Sequence, residues 1–141
     1  MNVQRIRKSL VIAVLGLFLL PLLSACGGPA SVNATLTEDY QIQLSKDTVK
    51  AGDITFHIKN DATDLNHEFV IVNSDLQAAN LPLDADGNVD EEQIEVVDEA
   101  EELEPGSTTD LTVNLQPGHY VIMCNIAGHY AQGMHVDFTV E

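Results

Sequence analysis

The chain is short of bases, of cysteine and of helical patterning, and each shortage removes a class of function. Lysine and arginine number 6 against 22 aspartates and glutamates, a formal net charge of −16. Three of the six, Arg5, Arg7 and Lys8, precede an apolar run from Leu10 to Leu20. A positive start followed by such a run marks a signal segment that is removed from the mature protein. Its loss leaves Lys46, Lys50 and Lys59 against all 22 acids, a net charge of −19. Nucleic acid, whose binding rests on neutralising phosphates with Lys and Arg, is excluded as a partner. The run is also shorter than the ~20 residues a membrane-spanning helix needs. No nucleophile triad or paired-carboxylate arrangement stands out among so many surface acids, so an enzyme is not expected.

Only two cysteines are present, and the first belongs to the export signal. Leu23-Ser24-Ala25-Cys26-Gly27 looks like a bacterial lipobox. Residues 1–25 then form a lipoprotein signal peptide, Cys26 carries the lipid, and 26–34 is a flexible tether of small and breaker residues. The expected location is the cell membrane, lipid-anchored and facing the periplasm or outer surface. Cys124 is left with no disulfide partner. Outside the cytoplasm such a thiol is an oxidation hazard unless something occupies it, and metal ligation is one such occupant.

Residues 35–141 make one domain, and alternation of period two dominates them while helical spacing is almost missing. Tyr40, Ile42 and Leu44 alternate with polar neighbours, as do Ile54, Phe56 and Ile58. The same holds for His67, Phe69 and Ile71, for Leu111, Val113 and Leu115, for Tyr120, Ile122 and Cys124, and for Met134, Val136, Phe138 and Val140. Gly, Pro, Asn and Asp break these runs, which predicts an all-β, antiparallel β-sandwich of about seven to eight strands. Residues 84–104 interrupt the pattern with eleven acids and no base, an acidic excursion expected to be solvated, with a short strand at Ile94 to Val97. Asp84 to Asp90 resembles part of a calcium loop. Pro82 stands where the first Asp belongs and Gln93 where the bidentate Glu belongs, so calcium is not expected.

The richest stretch is Tyr120 to Met134, which sets Cys124, His129 and Met134 at intervals of five. Thiolate, imidazole and thioether form a soft donor set that selects copper over calcium or magnesium. Strand parity sorts the remaining histidines, because alternate side chains face opposite ways. His67 lies in phase with Phe69 and Ile71 and should point inward. His57, beside Thr55 and Lys59, and His135, beside Asp137 and Thr139, should face solvent, while His119 is not placed by parity. His67, Cys124, His129 and Met134 thus compose a candidate mononuclear copper site, with two imidazoles and a thiolate in a plane and a weak axial thioether.

These residues are similar to those of the cupredoxins, the plastocyanin and azurin type of blue copper protein. The pattern is Gly118-x-Tyr120-x3-Cys124-x4-His129-x4-Met134 with Asn66-His67-Glu68-Phe69 upstream, and its C-x4-H-x4-M interval is of the rusticyanin and auracyanin kind. The acidic, tethered layout is that of lipid-anchored halocyanin-like members. The resemblance implies a Greek-key sandwich with one copper ion per chain shuttling between Cu(I) and Cu(II). It implies a monomer carrying single electrons between a donor and an acceptor redox protein, such as a cytochrome or an oxidase, with a basic face to suit the acidic surface. The alternative is a module for copper delivery, storage or resistance. It further implies that His129 is the electron exit, in a patch of Ile126, Ala127, Tyr130 and Ala131. Many members carry Asn directly after the first His ligand, tying two ligand loops together; here it is Glu68, with Asn125 a candidate for part of that tie through hydrogen bonds that orient the ligands. There is no second Cys in the loop for a binuclear site, and no His beside Cys124 to pass electrons to another copper.

Overall fold

The computed structural model describes residues 28–141; the signal segment and Cys26 lie outside the described residues. Nine strands follow in chain order: β1 (Ala30–Leu36), β2 (Ile42–Leu44), β3 (Thr48–Val49), β4 (Gly52–Asn60), β5 (His67–Asn73), β6 (Glu95–Leu103), β7 (Thr108–Leu115), β8 (Gly118–Met123) and β9 (His135–Val140). One sheet has the order β2-β1-β4-β7 and the other β3-β9-β8-β5-β6. Both are mixed, because β1 runs parallel to β4 and β3 parallel to β9, whereas the other pairs are antiparallel as expected.

The inward phase of each strand builds the space between the sheets. Val32, Ile54, Phe56 and Ile58 from one side meet Phe69, Ile71, Ile122 and Phe138 from the other, all buried. Phe56 sits at the centre, its ring 5.3 Å from Phe69 and 5.4 Å from Phe138 in tilted contacts. The five-stranded sheet has a second buried face. Val70, Val72, Val121 and Met123 point away from the main core and are covered by Ala78, Leu81, Val89 and Tyr130. Strands buried on both sides read as unbroken apolar runs, which explains Phe69-Val70-Ile71-Val72 and Tyr120-Val121-Ile122-Met123.

Four expectations are corrected here. Residues 30–34, expected to belong to a flexible tether, are strand: β1 begins at Ala30 and buries Val32 and Ala34 against β4. The alternation at Tyr40 is not strand: Tyr40 occupies a turn with a left-handed φ of 57°, and only Ile42–Leu44 pair with β1. The excursion is not simply solvated, because its first half lays Val89 into the second core and its second half is the nine-residue strand β6, where a short one was expected. A charged sequence suits this position, since β6 is an edge strand and its carboxylates discourage pairing with another chain. His135, expected in solvent, is half-buried with its ring 4.7 Å from that of Tyr130, because the outer face of this sheet is covered as well. His57 is exposed, as parity predicts, and pairs with Asp110 at 2.7 Å.

Candidate metal centre

Strand register brings the four candidate residues to one end of the sandwich. His67 opens β5 and Cys124 follows the last residue of β8, adjacent strands that meet at Val70↔Met123. The chain then loops from Cys124 to Met134 and re-enters as β9. The loop closes on itself: Cys124 N–H donates to the Met134 carbonyl at 3.0 Å and Met134 N–H to the His129 carbonyl at 3.2 Å. Gly133 makes the closing bend with φ 96°, a conformation open to glycine, and its N–H caps the Tyr130 carbonyl.

His67, Cys124 and Met134 are fully buried and His129 is 8% exposed. One donor atom from each of His67, Cys124 and His129 lies within 4.8 Å of the others. The Nδ1 atoms of the two histidines are 3.2 Å apart, and His129 Nδ1 is 3.4 Å from Cys124 Sγ. His67 Nε2 faces the Thr37 carbonyl at 3.1 Å. A carbonyl only accepts, so Nε2 carries the proton and Nδ1 turns a bare lone pair inward. Met134 packs in the same cluster as Cys124.

This donor set fits a copper ion. Bare imidazole nitrogen enclosed beside sulfur is an arrangement that a metal relieves, and its soft composition suits copper. The electrostatics agree. Burial pushes the His67 value down, helped by the nearby His129, and burial alone depresses His129, so both rings resist protonation and keep a lone pair that a metal could use. Burial pushes the Cys124 thiol up, while the N–H groups of Glu68 and Ile126 oppose the shift. Glu68 N–H reaches Cys124 Sγ at 3.3 Å, a hydrogen bond that would favour the thiolate a metal requires.

Around this cluster the two neighbours singled out in the sequence face different ways. Glu68 is half-buried with its carboxyl pushed up first by burial and then by Glu91, against an opposing Asn125 backbone N–H. The Asn125 side chain turns to the acidic excursion instead of the His67 loop. Its Oδ1 accepts Val89 N–H at 2.8 Å, and its Nδ2 donates to the Val89 carbonyl at 3.1 Å and to Glu91 at 2.8 Å. Asn88 Oδ1 accepts Gly128 N–H, inside the ligand loop, at 3.2 Å. Tyr130 does not join a surface patch around His129: it is buried, donating its hydroxyl proton to the Ala78 carbonyl and accepting Leu81 N–H.

Sequence reasoning missed three contributors. Asn60 is fully buried; its Nδ2 donates to the carbonyls of Leu65 and Leu103 at 2.8 Å each, and its Oδ1 accepts Ala62 N–H. Leu103 is the register partner of His67, so Asn60 fixes both the approach to β5 and the strand beside it. A signal existed, because Asn60 continues the inward phase of Ile54, Phe56 and Ile58. The Thr37 carbonyl and the Tyr40 ring, 5.0 Å from His129, left no signal in the pattern. His119, unplaced by parity, links Ser74 and Asp137 away from the site. A cleft of about 580 Å³ lined by Lys46, Lys50 and Asp53 also lies away from the ligands, at the end where β1 and β4 begin.

Residues 30–141 match the family model described as copper binding proteins, plastocyanin/azurin family. The chain belongs to this family, the cupredoxins, and its cofactor is one copper ion. No curated protein matches the sequence. Among solved structures it is similar to a dithionite-reduced auracyanin from Roseiflexus castenholzii, 26% identical with TM-score 0.61, covering 82% of this chain and 99% of that one. Auracyanin A from Chloroflexus aurantiacus is 20% identical with TM-score 0.59, over 81% and 100% of the two chains. A rusticyanin from Thiobacillus ferrooxidans is 20% identical with TM-score 0.58, over 82% and 79%. The last two likenesses concern the fold.

Proposed function

We infer that this chain is an extracytoplasmic carrier of single electrons, built around a type 1 copper held by His67, Cys124, His129 and Met134. The observation that supports it most is the enclosure of three inward-facing donors within 4.8 Å, with the tautomer of His67 already set by the Thr37 carbonyl. Bound copper supplies a one-electron couple in such a set. The protein's part is to hold the donors still in both oxidation states. His67 is held at Nε2 by the Thr37 carbonyl and along its backbone by Leu103, its register partner, which Asn60 fixes; Cys124 is held by Glu68 N–H. Glu68 and Asn125 serve as the outer contacts of the ligand strands. His129 is the exit, since it alone among the three clustered donors has measurable exposure, with exposed Ala127 and Ala131 close by in its loop.

The lipobox assigns an anchor at Cys26, with the domain acting as a monomer outside the cytoplasm between donor and acceptor redox proteins. Among the described residues no helix is long and apolar enough to cross a membrane. The acidic surface suits partners with a basic face. No chemical step on a substrate is assigned to the domain. Loading the purified protein with Cu(II) tests the reading: an intense thiolate-to-copper band in the visible spectrum is expected, and it should vanish in Cys124→Ser. A colourless complex that exchanges its metal readily would overturn electron carriage in favour of copper delivery or storage.

A further inference from the structure

The turn between β1 and β2 touches both imidazoles. It is closed by Thr37 N–H donating to the Gln41 carbonyl at 3.0 Å and Tyr40 N–H to the Thr37 carbonyl at 3.2 Å. That same Thr37 carbonyl takes the Nε2 proton of His67. Tyr40, three residues on, sets its ring 5.0 Å from that of His129 at 72°, an edge-on contact. The backbone beneath this ring is strained: φ is 57°, one of only two positive values on non-glycine residues among those described. A tyrosine gains nothing from the left-handed region, which glycine or asparagine enters far more easily. Strain kept at a residue whose side chain meets a ligand points to a role for that side chain.

We propose that Tyr40 is a positioning residue of the copper centre: its half-buried ring braces the His129 imidazole and keeps water from the exposed edge of the site. The turn then acts as one clamp, with a carbonyl on His67 and an aromatic edge on His129. His129 needs such a brace more than His67 does, because it sits in a loop while His67 sits at the start of a paired strand. The half-buried Ile126 and exposed Ala127 of the loop leave little else to cover that edge. The inference rests on the copper assignment, and it concerns a residue that binds no metal.

Three variants separate the ring from the turn. Tyr40→Asn and Tyr40→Gly remove the ring with residues at ease in the left-handed region; Tyr40→Phe keeps the ring. The metal-free forms of all three should melt within a few degrees of the parent, since the turn survives. Loss of an outer contact typically costs 10- to 100-fold in metal affinity. Copper transfer to a competing chelator should therefore be at least tenfold more complete or faster for Tyr40→Asn and Tyr40→Gly. Their reduction potential should fall as water gains access and favours Cu(II), with Tyr40→Phe matching the parent in both readouts. Parent-like copper retention and potential in either folded ring-deleted variant would overturn the proposal, as would a Tyr40→Phe that loses copper as they do. If the parent itself holds no coloured copper, the metal assignment fails, an outcome distinct from both.

Discussion

The two faces of the five-stranded sheet are both dry, yet they are made in different ways. The inner face meets another sheet, strand against strand, with Phe56 wedged between Phe69 and Phe138. The outer face meets irregular chain, in which Ala78, Leu81 and Val89 of one wandering segment and Tyr130 of the ligand loop lie over Val70, Val72, Val121 and Met123. The inner face carries the stability and the inward-pointing ligands. The outer cover is hydrogen-bonded to the ligand loop through Asn125 and Asn88. One face makes the fold, and the other is placed to adjust the site. An acidic stretch that looks like spare surface is thereby joined to the copper end.

Substitutions on each face can break this contrast. Phe138→Ala, at full burial in the inner core, should cost about 3–5 kcal/mol in denaturant unfolding of both metal-free and copper-loaded protein. Val121→Ala, equally buried on the outer face, should cost about 2 kcal/mol. Equal losses at the two sites, scaled for volume, would mean that the outer cover is as rigid as a sheet. Asn125→Ala should cost only about 1 kcal/mol, because Asn125 is half-buried and water can take the place of its side chain, while shifting the position of the thiolate-to-copper band. An unmoved band would detach the outer cover from the site.

The smallest effect concerns pH. Glu99, on the free edge β6, has its carboxyl value raised, first by the water it loses and then by Glu101 and Glu91. A raised folded value favours the folded state at low pH, and that contribution is lost as pH rises through it. Glu99→Gln should therefore melt slightly above the parent at pH 7, with the gap closing as pH falls through the raised carboxylate value. A gap that widens on acidification would contradict this crowding of like charges.

Much of this molecule is legible in its sequence because two periodicities coincide with two physical demands. Alternation in Ile54, Phe56 and Ile58 and in Tyr120, Ile122 and Cys124 reports the inner core directly, and the same phase picks His67 over His57. The phase says which face a side chain joins, however, and not whether that face is covered. His135 was misjudged for this reason, since Tyr130 and the excursion close over its side of the sheet. The parallel pairing of β1 with β4 could not be seen, because pairing partners far apart in sequence leave no local mark. Thr37 acts through its backbone carbonyl and Tyr40 through a turn conformation, and neither depends on a pattern of residue types. Asn60 was within reach: a polar residue in the inward phase must find partners, and it does.

The parallel course of β1 has a mechanical side. It starts at Ala30, where the chain arrives from its N-terminal segment, and ends beside Thr37, about 20 Å away at 3.3 Å per residue. Seven register pairs, from Ala30↔Ile54 to Leu36↔Asn60, join it to β4 along that length. A tug on the N-terminal end loads all of these pairs lengthwise and together, so it is spent in shear before it reaches the carbonyl that orients His67. With the proposed anchor at Cys26, the strand would act as a strain relief, like the clamp on a cable, between the tethered end and the copper end.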